Sequence, residues 1–111
     1  MNTHVPREWP DDADGQVFRN LRDRSFDFEQ KSTIEFNVDF DEWPPDPAAL
    51  RKILQLFPCA EQYVEDGSDH GTIIVKVHTE LDYRFVVDTQ KTLTDIVSDF
   101  GGWCDSWGVL H

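Results

Sequence analysis

The sequence lacks the features that mark several large classes of protein. It has only two cysteines, Cys59 and Cys104, in 111 residues, too few for a disulfide scaffold. It contains no CxxC, no HExxH and no glycine-rich phosphate loop. Its uncharged apolar runs are a few residues long, far short of the roughly 20 residues that span a bilayer. We therefore expect neither a disulfide-stapled fold nor a membrane span, and no cofactor.

Basic side chains are also scarce. Ten Lys and Arg residues stand against 22 Asp and Glu residues, which gives a formal net charge of −12. Proteins bind nucleic-acid backbones through cations, so this balance argues against direct contact with DNA or RNA. An acidic surface instead favours encounter with a basic protein partner. Solubility alone is the other explanation of the charge, and composition does not separate the two.

The apolar content is sufficient for one packed core. Hydrophobic residues make up 39% of the chain and aromatic residues 13%, as expected for a single domain of this length. Residues 1–10 contain two prolines and no periodicity, so we predict a tail there and one domain over residues 11–111. The first residues lack the apolar stretch of a signal peptide, and we expect a soluble, cytoplasmic protein.

Hydrophobic periodicity predicts a helix, a strand and a second helix in the first half of the chain. The first helix covers Asp14–Asp23, with carboxylates at its N-terminus. Residues Ser32–Asp41 alternate between apolar and polar side chains, which is the period of a half-buried strand. Asp46 can cap the second helix, with Pro47 at its first position. Its apolar stripe has helical spacing and consists of Leu50, Ile53, Leu54 and Phe57.

The second half predicts a hairpin, a helix and a last strand. Cys59–Glu65 and Thr72–His78 flank a polar turn and should pair. Thr79–Val87 is ambiguous, because alternating apolar residues let the strand bend and continue. Asp88 or Thr89 then caps a helix with the apolar stripe Leu93, Ile96, Val97 and Phe100. Two glycines end this helix, and Trp103–Leu110 forms the final strand.

This order of elements is a helix followed by β-α-β-β-α-β. It predicts an α+β, ferredoxin-like sandwich in which a four-stranded antiparallel sheet carries the helices on one face. The expected spatial order of the strands is 4-1-3-2, with Ser32–Asp41 central and Trp103–Leu110 at an edge. The two cysteines would then lie on opposite edges, roughly 14 Å apart and beyond disulfide reach. We predict two free thiols.

No residue pattern predicts a catalytic or metal site. Cys104 beside Asp105 suggests a nucleophile, but such a thiol needs a base within hydrogen-bond reach. The four histidines fall at the two termini, in a turn and at the end of a strand in the other hairpin. Asp66, Asp69 and His70 are close in sequence, yet a polar hairpin turn explains them without a metal.

The acid of greatest interest is Asp105, which lies between Trp103 and Trp107. On a strand these three side chains point to one face. If helices cover that face, Asp105 is a buried carboxylate that needs hydrogen bonds. If the face is open, the tryptophans form an aromatic patch of the kind enriched at binding hot spots, and Cys104, Ser106 and Gly108 turn towards the helices.

We favour the open face, because the polar residues of the central strand would share it. Acids around an aromatic pair suit an arginine-rich segment, through ion pairs and cation–π contacts. The predicted protein-binding residues are Glu35, Asn37, Asp39, Asp41, Trp103, Asp105 and Trp107.

Three segments resemble the RraB family, the protein B regulators that inhibit ribonuclease E. They are Asp14-Gly15 before the first helix, the alternating strand Ile34–Phe40, and the closing stretch Gly101–Gly108, GGWCDSWG. That family ends in Asp-x-Trp-Gly, which Asp105, Trp107 and Gly108 match. The resemblance spans roughly residues 12 to 110. The chain lacks the longer acidic terminal extensions of the better-known members.

The resemblance implies a ferredoxin-like protein without catalytic activity that binds the ribonuclease and restrains RNA decay. Our leading hypothesis is a regulator that binds a basic segment of a ribonuclease E-type partner. The alternative is an acidic immunity or antitoxin-type protein, or a nucleic-acid mimic, that neutralises a toxin. A small enzyme on the same fold would need a pocket of convergent polar groups, which the sequence does not locate.

Overall fold

A computed structural model describes residues 9–110 of the chain. The elements are α1 (Ala13–Asp23), β1 (Lys31–Phe40), α2 (Pro47–Leu56), β2 (Glu61–Val64), β3 (Gly71–Glu80), α3 (Tyr83–Val97) and β4 (Gly102–Leu110), with a 3-10 turn at Ser98–Phe100. Most of the predicted tail, residues 1–8, lies outside the described residues, as does residue 111. The division into tail and domain stays a prediction.

The four strands form one antiparallel sheet in the order β2-β3-β1-β4. This confirms the predicted strand order and the α+β class. β1 is central, pairing with β3 on one side and with β4 on the other. β4 is therefore an edge strand, and the short, fully exposed β2 is the opposite edge.

One face of the sheet carries the core. The apolar residues of β1 are all buried, and they alternate with half-buried polar ones. Apolar residues of all three helices join them in one cluster, including Phe18 from α1, Ile53 from α2 and Leu93 from α3. All three helices therefore pack on the same face. No described helix covers the opposite face, which we call the open face.

The start of α3 differs from our prediction. The alternation over Thr79–Val87 left open whether the strand continues, and we expected Asp88 or Thr89 to cap the helix. Instead α3 begins at Tyr83, and the Asp82 carboxylate caps it by accepting from the Phe85 amide at 3.0 Å. The buried stripe of α3 extends back from the predicted one and comprises Val86, Thr89, Leu93 and Val97. The prediction was wrong because packing on the sheet selected the helical stripe over the local alternation.

The two glycines before β4 have separate roles. Gly101 has φ 74°, the left-handed conformation expected after a helix. Its carbonyl accepts from the Asp41 amide at 2.8 Å, which holds the start of β4 beside the end of β1. At Gly102 a Cβ would lie 2.7 Å from the Phe40 ring, so only glycine lets this edge strand approach the core. Helix end and strand start are thus fixed by adjacent residues.

Candidate protein-binding face of the sheet

The polar residues predicted on the central strand do lie on the open face. Glu35, Asn37 and Asp39 alternate with buried apolar residues of β1. Across the ladder they pair with β4 residues, in turn Gly108, Ser106 and Trp103. Directly paired residues project to the same side of a sheet. The open face therefore contains Trp103 opposite Asp39.

A β-bulge at Asp105 breaks the predicted row of three side chains. Asn37 pairs with Ser106 and Val38 pairs with Cys104, which leaves Asp105 without a partner on β1. A bulge adds one residue to a strand and so reverses the alternation beyond it. Our expectation that Trp103, Asp105 and Trp107 share one face was wrong for this reason.

Trp107 consequently faces the helices. It pairs with buried Phe36, and its ring centroid lies 5.6 Å from that of Phe18 on α1. Its indole nitrogen donates to Asp14 Oδ1 at 2.8 Å, while Asp14 Oδ2 accepts from Gln90 Nε2 on α3 at 3.0 Å. Trp107 therefore ties β4 to α1 and α3, and its position is one of packing.

A second polar contact holds the start of α1. Asp12 caps this helix by accepting from the Gly15 amide, and its other oxygen accepts from the Tyr83 hydroxyl at 2.6 Å. This hydrogen bond raises the pKa of Tyr83 to about 12. The same bond, followed by that from the Gly15 amide, lowers the pKa of Asp12. No sequence signal pointed to Tyr83 or Gln90 as partners of α1.

Cys104 also turns towards the helices, as predicted, but its neighbours Ser106 and Gly108 lie on the open face. Burial, and then the charges of Asp105, Asp14 and Asp39, raises the pKa of the Cys104 thiol to about 12. A nucleophilic cysteine needs the opposite shift. Both cysteines are free, which confirms the predicted thiols.

Two further classes of site are missing from the described residues. No group of three or more His, Cys, Asp or Glu side chains among residues 9–110 is placed to hold a metal ion. In the same part of the chain, no helix has the length and apolar character needed to cross a membrane.

With Trp107 on the other face, Trp103 is the aromatic residue at the centre of the predicted binding residues on the open face. Its side chain is 38% exposed, and its indole nitrogen donates to Asp105 Oδ1 at 3.3 Å. That hydrogen bond places the Asp105 carboxylate beside the ring, while Asp39 lies opposite on β1. Asp41 follows the end of β1, is exposed and packs against Gly101. The fold thus brings three carboxylates to the neighbourhood of one tryptophan.

Those three carboxylates form no ion pair in the part of the chain that the structure describes. Within residues 9–110, no Lys or Arg lies within ion-pair distance of Asp39, Asp41 or Asp105. Further along the face, the Glu35 carboxylate oxygen Oε2 lies 4.0 Å from Lys76 Nζ. Asn37 Nδ2 donates to Ser106 Oγ at 3.0 Å. Lys76 therefore offsets the charge of Glu35, whereas no such contact offsets the carboxylates near Trp103 among residues 9–110. We call Asp39, Asp41, Trp103 and Asp105 the Trp103 cluster.

Comparison with known proteins places the chain in a family. The profile described as "Regulator of ribonuclease activity B", RraB, matches residues 11–109. The chain belongs to the RraB family. No curated protein matches it. RraB proteins are regulators of ribonuclease activity, a role distinct from catalysis.

The family assignment confirms the resemblance read from the sequence, and the structure shows what two of its motifs do. The Asp14-Gly15 pair lies within the first turn of α1 and not before the helix, as the sequence had suggested. It meets the Asp-x-Trp-Gly ending through the hydrogen bond between Trp107 and Asp14. Gly15 packs closely against the Pro10 carbonyl and donates to Asp12. These two segments therefore stabilise the attachment of α1, and the open face lies outside that contact.

Proposed function

We propose that this protein binds a ribonuclease E-type enzyme through its open face and inhibits it, without catalysing a reaction itself. The family match supports ribonuclease regulation over the neutralisation of a toxin. The observation that carries the proposed surface is the Trp103 cluster, in which carboxylates that form no ion pair with Lys or Arg among residues 9–110 flank an exposed indole.

The chemistry of the Trp103 cluster suits an arginine of the partner. A guanidinium group stacks on an indole face and donates in its plane to carboxylates. Asp39 and Asp105 provide such acceptors on two sides of Trp103. Glu35 and Asn37 extend the polar face along β1 and offer contacts to neighbouring residues of a basic segment. Of the seven residues predicted from sequence, six stay in this proposed surface, and Trp107 leaves it.

Charge reversal tests the surface. We would measure RNA cleavage by a ribonuclease E-type enzyme against increasing concentrations of the protein, with affinities from calorimetry. The double variant Asp39→Lys with Asp105→Lys should weaken binding and inhibition by at least about tenfold, since reversed charges now repel an arginine. Asp88→Lys with Glu65→Lys is the matched control, because both residues are exposed and lie outside the Trp103 cluster, Asp88 on α3 and Glu65 in the turn between β2 and β3.

The control variant should inhibit almost as well as the native protein. Circular dichroism and thermal melting establish that both double variants are folded. Equal inhibition by the two double variants would refute the proposed surface. Absence of any inhibition by the native protein would refute the proposed function.

A further inference from the structure

A second concave site lies on the side of the molecule that carries the helices. It is a cleft of about 620 Å³ between α1, the segment of residues 25–29 and the start of α3. Its apolar walls are Trp9, Phe18, Phe26, Phe28, Leu81 and Tyr83. Neither the family assignment nor the Trp103 cluster accounts for it.

The aromatic walls are built before any ligand binds. Phe18 forms the floor at 1% exposure. Its ring centroid lies 5.4 Å from that of Trp9 and 6.0 Å from that of Phe28. The ring centroids of Phe26 and Phe28 lie 4.9 Å apart. These contacts fix the walls, so a guest side chain orders few groups when it enters.

The geometry at the end of α1 explains how this aromatic segment is held. Ser25 has φ 63°, a left-handed conformation that turns the chain back after the helix. Its amide donates to the Arg22 carbonyl at 2.9 Å, and the Phe26 amide donates to the Leu21 carbonyl at 3.0 Å. These are the hydrogen bonds of a helix C-terminal cap. The cap directs the segment with Phe26 and Phe28 across the end of the sheet.

The rim of the cleft is acidic. Four carboxylates surround it, namely Asp27, Glu29, Glu80 and Asp82, against two arginines, Arg22 and Arg84. Arg22 is already engaged, since it pairs with Asp23 at 3.4 Å and lies 5.7 Å from the Trp9 ring centroid. Within residues 9–110 none of the four carboxylates forms an ion pair with Lys or Arg. Asp82 already caps α3 by accepting from the Phe85 amide, and Asp27 Oδ1 accepts from the Glu29 amide. Glu29 and Glu80 are therefore the carboxylates that meet an incoming cation at the apolar floor.

We propose that this cleft binds a large apolar side chain of a protein partner, presented within a basic segment. Aromatic walls match an apolar or aromatic side chain, and the carboxylate rim matches arginine or lysine residues on either side of it. The proposal goes beyond the open face, because the cleft uses different residues on the opposite layer. Each site can be tested separately.

The four tryptophans make a test with two independent readouts possible. Each indole N–H gives one signal in a proton–nitrogen correlation spectrum. Trp9 lines the cleft, whereas Trp103 lies on the open face. The probe is the blocked peptide Arg-Arg-Phe-Arg-Arg, titrated into the full-length, nitrogen-15-labelled protein. We expect the Trp9 signal to shift in a saturable manner.

Two matched comparisons identify the occupant. Replacing the phenylalanine of the probe by alanine should abolish the Trp9 shift while leaving any shift of Trp103. Glu29→Lys with Glu80→Lys should weaken the Trp9 response by about tenfold, because the rim then repels the arginines. The control Glu65→Lys with Asp69→Lys carries the same charge change on the exposed turn between β2 and β3 and should bind as the native protein does.

Three results would overturn the cleft proposal. The first is no Trp9 shift at millimolar probe. The second is an equal shift with Glu-Glu-Phe-Glu-Glu. The third is a Trp9 signal that moves with protein concentration alone, which would make a second copy of the chain the occupant. A shift of Trp103 without a shift of Trp9 would remove the cleft and leave the proposed open face standing.

Discussion

Asp12 and Tyr83 share a hydrogen bond that shifts their pKa values in opposite directions. The pKa of Asp12 is lowered from 3.8, so its stabilising contribution is present above that pH and is lost as the pH falls. The pKa of Tyr83 is raised from 10.0 to about 12, so its contribution is complete below pH 10.0 and is lost as the pH rises towards 12. The contact therefore stabilises the fold most strongly between these limits.

Removing the Tyr83 hydroxyl tests this predicted dependence of stability on pH. Tyr83→Phe should lower the urea midpoint relative to the native protein, with the largest difference between about pH 4 and 10 and a smaller one at either extreme. The Asp12 pKa, followed by carboxyl NMR, should rise in the variant. Tyr63→Phe is the control, because Tyr63 is exposed on the edge strand β2. A difference between native and Tyr83→Phe that stays constant across the pH range would contradict the assignment.

The two tryptophans of β4 should differ in their effect on stability. Trp107→Phe keeps an aromatic ring against Phe18 but removes the donor to Asp14. A hydrogen bond to a charged group contributes about 1.5–3 kcal/mol, and we expect a loss of that size in urea unfolding. Trp103→Phe, at an exposed position, should cost less than about 0.5 kcal/mol. Equal losses would mean that Trp107 does not tie β4 to α1.

At the scale of the elements, the bulge in β4 decides which side chains reach the open face. Because Asp105 is the extra residue, its deletion should restore regular alternation. Trp103 would stay opposite Asp39, and Trp107 would stay opposite Phe36. We predict that the deletion variant folds and keeps the Trp107 indole signal at its native position, while the Trp103 signal moves because its acceptor is gone.

Displacement of the Trp107 signal in the Asp105 deletion would contradict this prediction. It would mean that the unpaired residue is not the cause of the reversed alternation.

The strong periodicities in the sequence predicted most elements and their order. The alternation of Ile34, Phe36 and Val38 correctly predicted the central strand. Pro47 and the apolar stripe that follows it correctly predicted α2. The alternation around Tyr83 and Phe85 was misleading, because those residues occupy the first turn of a helix capped by Asp82. Local patterns are overridden there by packing against the sheet.

The candidate site was only partly predictable for a related reason. The two-residue period of β1 alone predicts that Glu35 and Asp39 lie on the face opposite the buried residues, and both lie there. The face of the sheet to which Trp107 projects depends on the register between β1 and β4, and the one unpaired residue reverses that face. The partners Tyr83 and Gln90 are about 70 residues from α1 in the chain. Only the tertiary fold brings such residues together.

At the scale of the whole molecule, the net charge of −12 should act on any basic partner before contact. Long-range attraction raises association rates by about 10- to 1,000-fold and is screened by salt. Contacts in the complex mainly set the dissociation rate. The two contributions can be separated by moving the same charge change to different places on the surface.

The double variants Asp39→Lys with Asp105→Lys and Asp88→Lys with Glu65→Lys suit this purpose, because each changes the net charge by the same four units. We predict that both associate more slowly than the native protein with a ribonuclease E-type enzyme at 50 mM salt, and that the difference shrinks at 500 mM because screening shortens the reach of the charges. Only the variant in the Trp103 cluster should also dissociate faster. Stopped-flow fluorescence gives both rates. Equal dissociation rates for the two variants would mean that the acidic charge steers the encounter from a distance and that the Trp103 cluster forms no contact in the complex.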